Sequence, residues 1–549
     1  LRTVSGVTTE YKLSNGTFAH KIFPAAQLEV YNHQDRPLQV LGTITSSRLS
    51  FETVLIPSSS SSSNRHDKAA IDEVLQPAIQ RFQKSLTRYP DFADDYPVNP
   101  THATLHTLTG VKIHIKSSNT RLYHGVSEDY DLTIPDDDST IVLKATTVFG
   151  AMHGLETLGQ LLEFGWLSSL PSSLFTASPS ATFCIHDIPL YISDAPSFPY
   201  RGLMIDTARH YLPLNLILDN LNAMAMNKLN VLHWHLSDSQ SFSFATKSYP
   251  ELAEKGAYHP KRIYTVENVK NVIHQAYLRG IRVIPEIDMP GHTAAIAKSH
   301  PEVMAQCPNS GEPMNPTVPE TYEFVETIYQ DLKDAFDDEF VHVGGDEVWM
   351  SEKCWLNDTR IAKWMKNHHM NETVQLYGYF ETNLLKTVAK LQKTPIVWQE
   401  VFTLNLTITP NTIVDVWKGF DVYTIQNATN QNYRVILSGC WYLDWLDHTW
   451  QNFYTCDPRN YTGNKDLMLG GHASMWGEHV DPSNFISRVW PRASAAAERL
   501  WTGDVSHGPA DNIAERIHKF RCHMVLQGFA AGPTAPGCCP KEVPYNSMR

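Results

Sequence analysis

Several signatures that would have named a chemistry are missing from this chain of 549 residues. It contains no Cys-x-x-Cys pair and no His-Glu-x-x-His, so nothing has the ligand spacing of a zinc site. No Gly-x-Gly-x-x-Gly follows a strand-like run, which removes the usual fingerprint of dinucleotide binding. No apolar stretch is long enough to span a bilayer as a helix. Positive charge is scarce as well. Lys and Arg number 45 against 58 Asp and Glu, a formal net charge of −13, which argues against nucleic acid or an anionic membrane as the main partner. The expectation is a protein without metal, cofactor, nucleic acid or membrane.

What is present is a globular composition, 42% apolar and 19% charged, in a chain too long for one ordinary core, so two domains are expected. Thirteen Trp and 23 Tyr supply flat rings suited to the apolar faces of sugars, besides filling the core. Eight cysteines and six N-glycosylation sequons, at Asn15, Asn357, Asn371, Asn405, Asn427 and Asn460, lean towards an oxidising compartment. The first residue, Leu1, fits a trimmed product. The expected location is the secretory pathway, ending in the lysosome or vacuole or outside the cell.

Residues 58–63 are six serines, an exposed insertion or a processing site. Around them, strand-like runs at Gln27–Val30, Leu38–Ile44, Ala103–Ile115 and Tyr130–Leu132 alternate with an amphipathic helix over Ile71–Leu86. A strand and long helix follow within Ile141–Phe164. Residues 1–195 therefore predict a non-catalytic α+β domain. Beyond Pro196 and Pro199 the texture changes, and residues 196–549 carry eight short apolar runs, each leading into polar residues. The runs are Gly202–Ile205, Leu229–Leu232, Ile281–Ile284, Phe340–Val343, Ile396–Val397, Ile413–Val416, Val435–Leu437 and Leu467–Leu469. Helical patterns separate most of them, and the gap between the fifth and sixth is too short for a full helix. Eight strands with functional residue types at their C-terminal ends predict a (β/α)8 barrel, with a C-terminal extension, rather than a doubly wound sheet.

At the fourth strand, Val341-His342-Val343 runs into Gly344-Gly345-Asp346-Glu347, displaying two acids at a barrel mouth. Glycoside hydrolysis ordinarily needs two carboxyl groups flanking the scissile bond, about 5–5.5 Å apart in retaining enzymes. Consecutive residues on a strand point opposite ways, so this pair is poorly placed to be those two groups. Either a second acid comes from Glu286, Glu400, Asp444 or Glu478, or the nucleophile is the substrate's own 2-acetamido oxygen. Spacing leaves both open.

The segments Arg-Gly-Leu-Met-Ile-Asp-Thr-Ala-Arg-His-Tyr (201–211), His-Trp-His-Leu-Ser-Asp (233–238) and Pro-Glu-Ile-Asp-Met-Pro-Gly-His (285–292) resemble the family-20 glycoside hydrolases, the β-N-acetylhexosaminidases. So do His-Val-Gly-Gly-Asp-Glu-Val (342–348), Trp-Gln-Glu-Val (398–401), Trp-Tyr-Leu-Asp (441–444), Ala-Ser-Met-Trp-Gly-Glu (473–478) and the Ala-rich run 488–501. The likeness runs in order through the barrel and back to about Ala145. It implies a retaining exo-hydrolase that removes terminal GlcNAc or GalNAc from oligosaccharides or glycoconjugates through an oxazolinium intermediate. Glu347 would be the general acid and base, with its pKa raised by desolvation; Asp346 would orient the acetamido group and Tyr442 would bond its carbonyl. Trp398, Trp417 and Trp476 would wall the sugar, Arg209, Asp444 and Glu478 would bind hydroxyls, and Asp288 with His292 would form a dyad supporting Glu347. Ser243 stands where the family usually has Pro. Asp444-Trp445 is closer to the family's Asp-Leu variant than to Asn-Arg, which implies an uncharged rather than a 6-sulfated sugar. The resemblance also implies a homodimer and two disulfides, Cys307–Cys354 and Cys522 with Cys538 or Cys539; Cys440 and Cys456 are a further candidate pair whose connectivity the sequence leaves open.

Overall fold

The structure, a computed structural model, describes residues 22–26, 28–31, 40–45, 49–56, 64–87, 104–164, 182–307, 312–350, 352–503, 513–537 and 539. The serine run and Asn15 lie outside them. Eight parallel strands close into a barrel, numbered here β1 (Tyr200–Asp206), β2 (Val231–Ser237), β3 (Arg282–Ile287), β4 (Phe340–His342), β5 (Thr394–Trp398), β6 (Ile413–Val416), β7 (Arg434–Leu437) and β8 (Met468–Met475). Each of the eight apolar runs beyond residue 196 overlaps one of these strands. The second and eighth extend further than their apolar runs, because β2 continues through His233, Trp234 and His235 and β8 through Gly470, Gly471 and His472. Strands buried on both faces need not alternate apolar with polar, so their polar residues did not read as strand. Between β5 and β6 lies only the five-residue helix Gln399–Thr403, the reduced connection expected.

The barrel interior is layered by the two-residue side-chain period. Tyr200, Val231, Ile284, Phe340, Ile396, Ile413, Ile436 and Leu469, one from each strand, form an apolar plug at the strand-entry end. Two residues further on, five strands present His233, Glu286, His342, Trp398 and Asp415, and His472 of β8 joins this buried polar layer. Another step along the chain reaches the mouth.

Before the barrel, a six-stranded sheet runs in the order Leu28–Tyr31, Leu190–Asp194, Tyr130–Ile134, Thr140–Ala145, Gly110–Ile115, Ser50–Leu55. Helices Asn64–Leu86 and Val148–Leu161 pack together beside it around their own apolar core. Thr147 caps the second helix, its hydroxyl accepting from the Phe149 and Gly150 amides. A smaller sheet joins Thr104–Leu108, Val40–Thr45, Thr182–Ile185 and Glu163–Phe164. Buried charge ties this unit to the barrel. The Arg201 guanidinium donates to Glu128 at 2.6 and 2.9 Å, and Lys228 Nζ donates to Asp194 at 2.9 Å. Cys307–Cys354, Cys440–Cys456 and Cys522–Cys539 are disulfide-bonded, so Cys539 rather than Cys538 partners Cys522.

Candidate active site

The β4 exit turn decides where the two acids go. Gly344 and Gly345 have φ of 74° and 96°, and Glu347 itself sits at 54°, a left-handed conformation uncommon for Glu. A Cβ on Gly344 would stand 1.7 Å from Asp288 Oδ1, and one on Gly345 2.6 Å from a Val401 methyl, so both glycines are required by space as well as by φ. The turn is held from several sides. The Gly345 amide donates to Asp288 Oδ1 at 2.8 Å, the Trp398 amide donates to the Gly344 carbonyl at 3.0 Å, and the Tyr377 hydroxyl donates to the Gly345 carbonyl. Because the chain turns between them, Asp346 is buried and Glu347 only half-buried.

His292 connects them. Its Nε2 lies 3.6 Å from Glu347 Oε2 and 3.8 Å from Asp346 Oδ2, and its Nδ1 lies 3.2 Å from Asp238 Oδ1. The carboxylate hydrogen-bonded to His292 is therefore Asp238, not Asp288. Asp288 instead braces the Gly345 amide and stands beside Asp346, and burial together with the Asp346 charge pushes its carboxyl well above the usual range. Asp238 also bonds His235 Nε2 at 3.0 Å and Arg209 at 2.7 Å. Burial works to raise Asp238, but Arg209 and the two histidines hold it below the usual range. Its place in the site was missed in the sequence, although His-Trp-His-Leu-Ser-Asp put it at a strand end.

Burial works to lower the His292 imidazolium, but Asp346, Asp238, Glu347 and Asp288 together hold its pKa raised. The consequence for Glu347 corrects an expectation. Its carboxyl is held below, not above, its ordinary value, because the His292 hydrogen bond and charge outweigh the desolvation of a half-buried group.

At the same mouth, Trp398, Tyr442 and Trp476 cluster with Met204, and Trp417 packs against them. Trp417 and Tyr442 stack with centroids 6.1 Å apart, and Trp398 and Trp476 lie 6.0 Å apart. The indoles are anchored from behind: Trp398 Nε1 donates to Glu286 at 2.9 Å and Trp417 Nε1 to Glu400 at 2.7 Å. Glu286 is fully buried and also holds His233 at 2.7 Å and His235 at 2.8 Å, while Glu400 meets Lys418 at 2.8 Å. Both acids are thus engaged beneath the pocket surface. Arg209 lies over Trp476 at 4.9 Å and is clamped by Asp206 at 3.1 Å, an acid that also takes the Gly477, Ala208 and Arg209 amides. Exposed Glu478 acts on both Arg209 and Asp444, and burial with the Glu478 charge pushes Asp444 up to about 6. Buried Asp346 Oδ1, Asp444 Oδ1 and Arg209 Nε have no hydrogen-bond partner among the described residues.

A parallel barrel whose mouth gathers an acid on a left-handed turn, a paired carboxylate with an open oxygen, an aromatic wall and a clamped arginine defines a glycoside hydrolase. Comparison with known proteins narrows this. The catalytic domain of glycosyl hydrolase family 20 matches residues 198–504, and the "beta-acetyl hexosaminidase like" domain matches residues 35–161. Mouse beta-hexosaminidase subunit beta is 39% identical over 436 residues, covering 76% of this chain and 77% of that protein. Beta-hexosaminidase A of Caenorhabditis briggsae is 39% identical over 455 residues, covering 76% and 78%. Among solved structures, Flavobacterium johnsoniae chitobiase superposes with a TM-score of 0.74 at 28% identity, covering 92% of this chain and 73% of that one. The chain belongs to glycosyl hydrolase family 20 and is a β-N-acetylhexosaminidase.

Proposed function

We propose that this enzyme removes uncharged terminal β-linked GlcNAc or GalNAc, with Glu347 as proton carrier and the substrate's acetamido group as nucleophile. The observation that carries the reading is the pairing of buried Asp346 Oδ1, an acceptor without a partner among the described residues, with half-buried Glu347 one residue away across a left-handed turn. Asp346 accepts the acetamido N–H and so aims the carbonyl oxygen at C1, while the Tyr442 hydroxyl donates to that oxygen. As the oxygen bonds C1, the glycosidic C–O bond breaks and Glu347 gives its proton to the leaving oxygen. The carboxylate of Asp346 offsets the positive charge of the oxazolinium ring. Glu347 then takes a proton from water, whose oxygen bonds C1 as the ring opens, and β configuration is retained. Asp238, through His292, orients Glu347, and the engagement of Glu286 and Glu400 with the indoles supports a substrate nucleophile over an enzymatic one. Trp398, Trp417 and Trp476 face the sugar ring, and Arg209, Asp444 and Glu478 its hydroxyls.

Two acids at the hydroxyl end disfavour a sulfated sugar by charge repulsion. Residues 1–195 form the accessory domain and 196–549 the catalytic domain, a division supported by the limits of the two family matches. Three disulfides, and exposed sequon residues Asn357, Asn371, Asn405 and Asn460, support passage through the secretory pathway to the lysosome, vacuole or exterior. The pairing as a homodimer is also inferred.

The test is turnover of p-nitrophenyl β-GlcNAc, its 6-sulfate and the matching β-glucoside, with and without a thiazoline mimic of the cyclised intermediate. Turnover of the neutral GlcNAc compound alone, abolished by the thiazoline, is expected. Comparable turnover of the glucoside would remove the acetamido nucleophile, and comparable turnover of the 6-sulfate would remove the charge argument.

A further inference from the structure

A second cavity, of about 280 Å³, lies where the N-terminal helices, the barrel and the C-terminal helix meet. Helices Asn64–Leu86 and Val148–Leu161 line one side, helix Leu214–Met226 and Arg279 another, and helix Ile513–Leu526 contributes His523. Met226 and Arg279 precede β2 and β3, so the cavity belongs to the strand-entry end of the barrel, opposite the catalytic mouth.

Its charge is unbalanced. Among the described residues that line it, Arg81, Lys84 and Arg279 face one carboxylate, Glu156, and exposed Asp219 beside the cavity acts on Arg279 alone, in a chain whose overall charge is −13. Of the two histidines at its wall, His153 is bonded to Glu128 at 2.9 Å, and burial alone lowers His523 to about 4, leaving it uncharged near neutrality. Both guanidiniums are half-buried, yet the acceptors they find among the described residues are neutral. Arg81 donates to the Leu278 carbonyl at 2.7 Å; Arg279 donates to Asn222 Oδ1 at 2.8 Å and to the Gln275 carbonyl at 2.6 Å. Buried cations are ordinarily matched by anions, and planar guanidiniums match oxyanions best. The mismatch is felt by the groups themselves. Burial, then repulsion by Arg279, lowers Arg81 to about 9 despite Glu156, and burial lowers Arg279 to about 10 despite Asp219. Burial pushes Glu156 up to about 7, so the offsetting negative charge weakens in acid.

We infer that this interdomain cavity binds a phosphate or sulfate group between Arg81 and Arg279, with Lys84 at its edge. The volume is at the small end of ligand pockets, which start at about 300 Å³, and suits such a group free or on a short carrier. Binding there joins elements of the N-terminal unit, the barrel and the C-terminal helix, so the anion acts as a clip on the fold rather than as a substrate.

The experiment is calorimetric titration of inorganic phosphate, inorganic sulfate and glycerol 1-phosphate into the full chain at constant ionic strength set with chloride. One site is expected, with its affinity reduced at least roughly tenfold in Arg81→Met and Arg279→Met. Wild-type kcat on p-nitrophenyl β-GlcNAc shows that each variant has folded. The Lys substitutions at the same positions keep the charge, and serve if a Met variant does not fold. They are expected to bind more weakly than wild type through loss of the two-pronged contact. A site filled by the inorganic ions identifies a free anion, and one filled only by glycerol 1-phosphate identifies a carried group. Heat that is equal in wild type and variants, or absent with all three probes at millimolar concentration, overturns the proposal.

Discussion

Glu347 has to be protonated when the glycosidic bond breaks, yet His292 favours its ionised form. The two demands meet in the pH profile. Activity falls as pH rises through the pKa of a general acid, so the lowered Glu347 pKa places that falling limb early. Removing the imidazole in His292→Asn lifts the Glu347 pKa, and the limb of kcat/KM moves to higher pH while the maximum drops. A limb that stays in place would show that His292 does not set the Glu347 proton affinity. Glu347→Gln removes the proton donor and is expected to lower kcat by about 10²–10⁴ on an oligosaccharide. With an aryl leaving group that needs no protonation the first step should be much less affected. Equal losses on oligosaccharide and aryl substrates would count against the role as acid.

The β4 exit turn is the element on which these roles depend, and it was only half legible. The Gly-Gly-Asp-Glu string announced a turn at a strand end, but the left-handed φ of Glu347, which parts the two acids, has no sequence signal beyond the neighbouring glycines. The eight strands were readable because each contains an apolar run, and the reduced β5–β6 connection was readable from chain length alone. Their full extent was not, since His233, Glu286, His342, Asp415 and His472 pair with one another inside the barrel and look like surface residues in the string. Asp238 could be placed after the second strand but not given a role, as its partners Arg209, His235 and His292 come from three strand ends. Gly345→Ala tests the element directly. With φ at 96° and Val401 2.6 Å from the added methyl, the turn must shift, at a cost of more than about 1 kcal/mol in stability. A loss in kcat larger than the rise in KM is expected, because the displaced groups act on the transition state. Unchanged kinetics would mean that the turn tolerates another path.

Across the whole molecule, buried ionisable groups set how the fold responds to pH, and their signs can be worked through. Burial opposes charge on His235 and His342, but Glu286 and its neighbours hold them up to about 10 and about 9, and acids hold His292 raised. Their stabilisation is complete below the unfolded value of about 6.5 and is lost as pH climbs through the folded values. Burial raises Glu156 to about 7 and Glu381 well above the carboxylate range, so folding must bind protons there, and stability falls as pH rises above about 4.5. In the other direction, burial lowers His233 to about 3 and His124 and His523 to about 4, with His153 also lowered, which costs stability as pH drops below about 6.5. Glu128 behaves differently: burial works to raise it, but Arg201 and His153 hold it at about 2. The stability from this interdomain pair is complete above the unfolded value of about 4.5 and is lost as pH falls towards 2. Between about pH 4.5 and 6.5 the neutral histidines and the raised carboxyls oppose each other, whereas above 6.5 the charged histidines and Glu381 all act together. The thermal midpoint should therefore vary little across the mildly acidic range and decline steadily from pH 6.5 to 9. Glu381→Gln should flatten that decline, because its amide cannot titrate and each unit of pKa difference is worth about 1.4 kcal/mol. A midpoint that instead rises towards pH 9, in the wild type measured by scanning calorimetry at constant ionic strength, would show that these buried charges are not what governs the stability of the fold.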